Sequence, residues 1–221
     1  MYLTRLGPLA LVLLVVAGCG GGKSAAPAAT TETIASAGGC ATVEQPAAKP
    51  DGELKAPTGE LDPAKTHTLT LATSCGSFTV TLDPKLAPKT TASLVGLARA
   101  GFFDDTVFHR IVPGFVIQGG DPTQTGEGGP GYKTVDAPPS DARYVKGVVA
   151  MAKTGAEPPG TSGSQFFVVT GEDVGLPPDY AIVGTVTAGL DVVTAISELG
   201  DPATELPLQP VVIEKVTVGE S

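Results

Sequence analysis

The chain has no tryptophan, and phenylalanine and tyrosine together make up only 5% of its 221 residues. Glycine and proline are abundant instead, with 29 and 20 copies. This composition argues against a helical bundle and favours a β-rich domain with many loops. Basic residues are also scarce, because 14 Lys and Arg stand against 23 Asp and Glu, a formal net charge of −9. We therefore expect neither nucleic acid nor an anionic membrane surface as an electrostatic partner.

Histidine and cysteine are too few and too scattered for several common kinds of catalytic site. His67 and His109 lie 42 residues apart (109 − 67), and no His/Cys cluster has metal-ligand spacing. The Ser-Gly-Ser at residues 162–164 is not a nucleophile elbow, and no third histidine could complete a separate triad. The glycine-rich residues 126–131 lack the Lys-Ser/Thr of a phosphate-binding loop. The sequence therefore predicts no metal site.

The N-terminal residues have the pattern of an export signal. Arg5 supplies a positive charge, and the apolar residues 9–17 are too few to span a bilayer comfortably. The sequence Val-Ala-Gly-Cys that ends at Cys19 resembles the lipobox of bacterial lipoproteins. This resemblance implies that residues 1–18 are a signal peptide, that Cys19 is lipidated, and that the protein is anchored to the cell membrane in an extracytoplasmic location. An uncleaved hydrophobic anchor is the alternative.

Residues 19–65 are predicted to be the lipidated cysteine followed by a flexible linker, since small and polar residues dominate them. If Cys19 carries lipid, Cys40 and Cys75 remain in an oxidising compartment, where they can form one intrachain disulfide. Two free thiols are the alternative. The disulfide would hold the region around Cys40 against the domain.

The remainder of the chain, residues 66–221, reads as one domain. Alternating or continuous apolar runs predict strands at residues 68–73, 78–82, 107–112, 115–117, 147–152, 165–170, 180–186 and 211–218. Helices are predicted from Pro88 and from Gly189. The long polar loop at residues 119–143 suggests the wall of a site, because such loops are uncommon in compact domains unless they are functional.

One stretch, residues 108–122, reads FHRIVPGFVIQGGDP and places Arg110 among apolar residues. A partly buried arginine keeps its charge and therefore needs acceptors. With AMAK at 150–153, GTSGSQFFV at 160–168 and IVGTV at 182–186, this stretch resembles the cyclophilin-type peptidyl-prolyl cis-trans isomerases. The resemblance implies a mainly β fold, a closed eight-stranded antiparallel barrel capped by two α-helices. It also implies isomerisation of X-Pro bonds in polypeptide clients, without a cofactor.

The resemblance assigns the predicted site residue by residue. Arg110 is the expected catalytic donor, assisted by the Gln118 amide. Residues expected to cup the proline ring or hold the substrate backbone are Phe115, Val116, Ala152, Lys153, Gln165, Phe167, Leu176 and Tyr180. Isomerisation transfers no proton to carbon or water, so His109 is expected to support the site rather than act as a general base.

Three positions depart from the familiar eukaryotic pattern. Lys153 stands where an asparagine is common, Gly175 where a tryptophan is usual, and Tyr180 where a histidine is usual. Loss of the tryptophan predicts at most weak cyclosporin binding, because that side chain usually contacts the drug at the pocket rim.

We therefore predict a monomeric, lipid-anchored isomerase that assists the folding of exported proteins. The alternative is a non-catalytic module that binds proline-containing peptides, or a chaperone, on the cell surface. A surface adaptor is a third reading, which the intact set of predicted site residues argues against.

Overall fold

The computed structural model describes residues 39–221. The predicted signal peptide, Cys19 and residues 20–38 of the predicted linker lie outside the described residues. Within 39–221 the chain forms the following strands and helices in order: β1 His67–Thr73, β2 Gly76–Leu82, α1 Pro88–Arg99, β3 Thr106–Val107, β4 Arg110–Val112, β5 Val116–Gly119, β6 Thr134–Val135, β7 Val148–Met151, β8 Thr161–Ser162, β9 Phe166–Val169, β10 Ile182–Ala188, α2 Leu190–Ser197 and β11 Val212–Glu220. No helix in this part of the chain is long and apolar enough to cross a membrane.

Nine of these strands form one curled antiparallel sheet in the order β3-β11-β1-β2-β10-β7-β9-β5-β4, and β6 pairs separately with β8. The expected eight-stranded closed barrel therefore needs a correction. The predicted strand at residues 107–112 is interrupted, because the Phe108 amide donates to Val211 O whereas the Ile111 amide donates to Glu205 O. The two resulting segments, β3 and β4, lie at opposite ends of the sheet order. Two intervening residues of chain, rather than a hydrogen-bonded ladder, join these ends.

The interior of the curled sheet holds the main apolar core. Side chains alternate between the two faces of each strand, so Leu69 and Leu71 of β1 and Phe78 and Val80 of β2 point inward and are buried. Helix α1 covers one side of this core with a face on which Leu94, Leu97 and Ala98 are all buried. Proline at the start of α1 suits the first helical turn, where a backbone N–H would have no partner within the helix.

A second apolar cluster lies on the outer face of β5, β7 and β9. Its buried members are Val116, Tyr144, Val148, Ala150, Phe167 and Val169. The neighbouring residues in these strands, including Ile117, Val149 and Val168, belong to the interior core instead. Because side chains alternate with a period of two, these strands are buried on both faces. The outer cluster forms the floor on which the site is built.

The structure contains the predicted disulfide between Cys40 and Cys75. From Cys40 onward, residues 40–54, here called the N-terminal strap, follow the surface of the domain. Backbone amides of the strap donate from Ala41 to Ser74 O (2.7 Å) and from Lys49 to Pro122 O (2.8 Å). This part of the chain therefore differs from the expected flexible linker. Its backbone groups find partners on the domain, which composition alone does not reveal.

Candidate active site

A cavity of about 320 Å³ opens on the outer face of β4, β5 and β9. The nine residues that line it all belong to the ten predicted substrate-contacting or catalytic residues: Arg110, Phe115, Val116, Gln118, Ala152, Lys153, Phe167, Leu176 and Tyr180. They come from sequence positions up to 70 residues apart (180 − 110). The tenth, Gln165, lines an adjoining cavity of about 330 Å³. The structure thus brings the predicted residues together across two neighbouring cavities, and their catalytic roles stay predictions.

Strand register places the central side chains in one row across the sheet. Arg110 of β4 lies opposite Gln118 of β5, and Gln118 lies opposite Phe167 of β9. Phe167 in turn lies opposite Ala150 of β7. The hairpin between β4 and β5 sets this register with a tight turn, in which Gly114 has a φ of +69° that favours glycine. Side chains in such a row are neighbours, so a charged group, an amide and an aromatic ring meet at one place.

The guanidinium of Arg110 is fixed from two sides. Its Nε donates to Glu205 Oε2 at 2.7 Å, and its Nη1 donates to Gln118 Oε1 at 3.5 Å. Glu205 is itself held in place: its backbone N–H donates to Asp201 O, and its carbonyl accepts from the Ile111 amide at 2.9 Å. Its φ of +60° is uncommon for a residue other than glycine and fits a backbone that its surroundings constrain. Glu205 therefore orients the arginine and partly balances its charge.

An aromatic cluster forms the apolar wall of the cavity. The rings of Phe167 and Tyr180 meet edge to face with centroids 5.5 Å apart, and Tyr144 packs against both. The Tyr144 hydroxyl donates to Tyr180 O at 2.7 Å and accepts from the Tyr180 amide at 3.0 Å. Burial raises the pKa of the Tyr144 phenol, so the hydroxyl stays protonated and able to donate. Tyr144 thus fixes the loop that carries Tyr180.

Two glutamine side chains connect the arginine to a glycine-rich loop, here defined as residues 126–131. Gln118 Nε2 donates to Gln165 Oε1 at 3.1 Å. Gln165 Nε2 then donates to the carbonyls of Gly126 and Gly128, both at 2.9 Å. Because each amide uses its donor and its acceptor, both side chains have one orientation. Gln118 thus contacts Arg110 on one side and Gln165 on the other.

Comparison with known proteins agrees with this geometry. Residues 68–218 match the family described as "Cyclophilin type peptidyl-prolyl cis-trans isomerase/CLD". The match covers more than half of the chain. The chain belongs to the cyclophilin family.

Several relatives show how much of this cyclophilin is shared. Peptidyl-prolyl cis-trans isomerase A of Mycobacterium tuberculosis is 41% identical over 174 residues, which cover 71% of this chain and 94% of the relative. Peptidyl-prolyl cis-trans isomerase B of Streptomyces anulatus is 40% identical over 168 residues, covering 67% of this chain and 94% of the relative. A cyclophilin type isomerase of Cryptosporidium parvum, solved in the presence of the dipeptide Ala-Pro, has a TM-score of 0.64 and 27% identity. It covers 70% of this chain and 99% of that one. The predicted family and isomerase class are therefore confirmed.

Lys153, one of the departures from the familiar pattern, is almost fully buried in this cyclophilin, with 2% of its side chain exposed. Its ammonium lies 2.5 Å from Asp179 Oδ2, donates to the Glu157 carbonyl at 3.0 Å, and lies 5.6 Å from the centroid of the Tyr180 ring. Lys153 therefore reaches the cavity mainly as part of its wall. It holds the loop that carries Asp179 and Tyr180 in place.

Gly175, another departure from the familiar pattern, lies where a side chain would have free space. A Cβ at Gly175 would meet no atom within 4 Å, and the residue has a φ of +63°. Weak cyclosporin binding stays a prediction.

Burial lowers the pKa of the His109 imidazole below its ordinary value. This shift favours the neutral form of the ring, and the supporting role of His109 beside Arg110 stays a prediction.

Sequence reasoning missed three residues that shape this site: Glu205, Tyr144 and Asp179. Glu205 lies 95 residues after the arginine that it contacts, and no local motif marks it. Asp179 directly precedes a predicted site residue, and its charge opposite to that of Lys153 was the one available signal. Tyr144 precedes the predicted strand at 147–152 by only a few residues, but nothing in its immediate sequence indicates a buried hydroxyl.

Proposed function

We propose that this cyclophilin catalyses cis–trans isomerisation of X-Pro bonds by seating the proline ring against Phe115, Phe167 and Leu176 while Arg110 stabilises the twisted amide. The observation that carries this proposal is the position of the guanidinium. It is fixed in a cavity on the outer face of the sheet that Phe115, Phe167 and Leu176 also line. A fixed charged donor beside a cup for an uncharged ring matches the demands of this reaction.

Rotation about the X-Pro bond is opposed by amide resonance, with a barrier of roughly 18–20 kcal/mol. At the top of the barrier the prolyl nitrogen carries a localised lone pair, which a nearby N–H can stabilise. Glu205 occupies Nε of Arg110 and Gln118 occupies Nη1, while Nη2 makes no hydrogen bond within the described residues. Nη2 is therefore the donor we assign to the prolyl nitrogen. Interactions that form only in the twisted state lower the barrier, whereas contacts with the ring support binding in both states.

Catalysis can be separated from binding by exchange spectroscopy. The full chain would be added to a prolyl peptide at low molar ratio, and NMR exchange between the cis and trans signals would be measured. We expect exchange to be faster than in the peptide alone, with no cofactor added. Line broadening without faster exchange would instead support the alternative of a non-catalytic proline-binding module.

We further propose that Cys19 is lipidated and holds the domain at the extracytoplasmic face of the cell membrane. Its clients there would be exported polypeptides that contain proline. The sequence pattern before Cys19 supports this location. A disulfide between Cys40 and Cys75 suits an oxidising compartment. We propose that the protein acts there as a monomer, and that it binds cyclosporin only weakly because Gly175 offers no side chain to contact the drug.

Cys19→Ser should abolish incorporation of labelled fatty acid and release the protein from membranes. The reason is that stable attachment takes two acyl chains or an equivalent second signal, and the variant has no thiol to modify. Metabolic labelling followed by membrane fractionation would measure both effects. A Cys19→Ser protein that is processed like the parent and stays with the membranes would show that the lipobox interpretation is wrong.

A further inference from the structure

The N-terminal strap pairs with the glycine-rich loop through three hydrogen bonds of 2.9 Å. The Gly52 amide donates to Gly129 O, and the Leu54 amide donates to Pro130 O. In the other direction, the Gly129 amide donates to Asp51 Oδ1. The loop has glycine at four of its six positions, and glycine loses more conformational freedom on ordering than any other residue. The strap therefore restrains a segment that its own sequence leaves unusually free.

Two glycines let the strap and the loop approach this closely. A Cβ added at Gly52 would lie 2.9 Å from Pro130 Cα and from Pro130 O, closer than real side chains come. A Cβ at Gly131 would lie 2.4 Å from Gly52 O, and Gly131 has a φ of +90°. Each backbone thus carries a glycine where the other passes. The contact is a fitted one, not an incidental crossing of two surface segments.

A single peptide group connects the strap to the site by hydrogen bonds on both of its sides. The carbonyl of Gly128 and the amide of Gly129 belong to the same planar peptide unit. Gly128 O accepts from Gln165 Nε2 at 2.9 Å, and the Gly129 N–H donates to Asp51 Oδ1 at 2.9 Å. The carboxylate of Asp51 therefore fixes the orientation of the carbonyl that holds Gln165. Hydrogen bonds at both ends of one amide also polarise and strengthen each other.

The other end of the loop is supported from within the domain. Oδ2 of the buried Asp121 accepts from the Thr125 and Gly126 amides at 3.0 and 2.6 Å, and Gly126 O accepts from Gln165 Nε2 at 2.9 Å. Asp121 lies inside the segment that matches the family, residues 68–218, whereas Asp51 lies before it. The two carbonyls that accept from Gln165 are thus held by different carboxylates. Asp121, inside the family match, holds the Gly126 end of the loop, and Asp51, before the match, holds the peptide of Gly128.

We propose that Asp51 is a positioning residue, through whose carboxylate the N-terminal strap acts on the substrate-binding site of this cyclophilin. The strap acts on substrate through Gln165, whose amide it orients by way of the glycine-rich loop. The disulfide at Cys40 tethers the start of the strap, which keeps Asp51 at high effective concentration near the loop. The proposal rests on the proposed function, because it assigns Gln165 a role in holding the substrate backbone.

Asp51→Ala in the full chain should raise KM for a prolyl peptide about three- to tenfold and leave kcat within about twofold, because an oriented Gln165 holds planar and twisted substrate alike. Asp51→Asn keeps an acceptor oxygen and should restore most of the parental KM. Glu53→Ala is the matched control, since it removes the same charge from an exposed position two residues away. An Asp51→Ala enzyme with parental KM, or an equal change in Glu53→Ala, would overturn the proposal.

A double-variant cycle tests whether the effect passes through Gln165. In a Gln165→Ala background, Asp51→Ala should change KM by less than about 1.5-fold, because the side chain that the strap positions is gone. A change as large as in the parental background would mean that Asp51 acts by another route. Gly52→Val should mimic Asp51→Ala by pushing the strap from Pro130, whereas Gly59→Val, whose Cβ would meet nothing within 4 Å, should not.

A readout without turnover separates this proposal from the proposed function. The side-chain NH2 signals of Gln165 in a ¹⁵N-labelled full chain should shift in Asp51→Ala and stay in place in Glu53→Ala. If the parent accelerates no exchange, the proposed function fails, and these shifts still report whether the strap orients Gln165. If the parent is active and the Gln165 signals do not move, the strap proposal fails alone.

Discussion

Arg110→Ala should lower kcat/KM for prolyl peptides by about 2–4 kcal/mol, or roughly 30- to 1000-fold, with a smaller loss of peptide affinity. The guanidinium is the charged donor at the cavity, and its geometry is set by Glu205 and Gln118. Its interaction with the prolyl nitrogen forms only when the amide is twisted. Removing it therefore affects the transition state more than the bound substrate. Exchange spectroscopy and peptide titration of the same variant would measure the two quantities separately.

Three further variants make this result specific. Phe115→Ala should weaken peptide binding along with turnover, because the ring contacts proline in planar and twisted states alike. Arg110→Lys keeps the charge but loses the planar fork that meets Glu205 and Gln118, so it should recover only part of the activity. Arg99→Ala, which removes an arginine 59% exposed at the end of α1, should behave like the parent. Parental kcat/KM in a folded Arg110→Ala protein would remove this arginine from the mechanism.

Asp179→Ala should lower the free energy of unfolding by about 3 kcal/mol, more than Lys153→Met. The two partners of this ion pair differ in exposure, with side chains 2% exposed at Lys153 and 30% at Asp179. Without its carboxylate the buried ammonium keeps only backbone carbonyl partners, at Glu157 and Thr154. Without its ammonium, Asp179 can be hydrated. Loss of either partner should also raise KM, because the pair holds the loop that carries Tyr180.

Urea unfolding of the two single variants and the double variant would measure this asymmetry. Lys153→Met/Asp179→Ala should be more stable than Asp179→Ala alone, because it leaves no buried charge without a counter-ion. Lys146→Met with Glu172→Ala is a suitable control, since that pair is exposed at the surface and should contribute about 0–1 kcal/mol. Equal losses of stability in Asp179→Ala and Lys153→Met would contradict the buried-charge explanation.

The sequence by itself determined the family and the class of reaction. Residues 108–122 carry both Arg110 and Gln118 on a hairpin whose turn is marked by Pro113 and Gly114. Register follows from that turn, so the pair across the strands could be predicted locally. The apolar and aromatic members of the pocket came from the family resemblance instead, because β7 and β9 are buried on both faces and show no alternating pattern.

Only the tertiary structure decided how these groups are held. Glu205 meets Arg110 because the loop before β11 passes beside β4, and Asp179 meets the buried Lys153 because the loop before β10 folds back over the pocket wall. The strap pairs with the glycine-rich loop through backbone amides and through the Asp51 carboxylate. Backbone hydrogen-bonding capacity is the same in nearly every residue and leaves no mark in a sequence, and no local motif marks Asp51. Composition reports that residues 40–54 cannot build a core of their own. Composition does not show that carbonyl groups of the domain lie at fixed positions where they accept from the strap amides. Two of these carbonyls, of Gly129 and Pro130, belong to the glycine-rich loop beside the site.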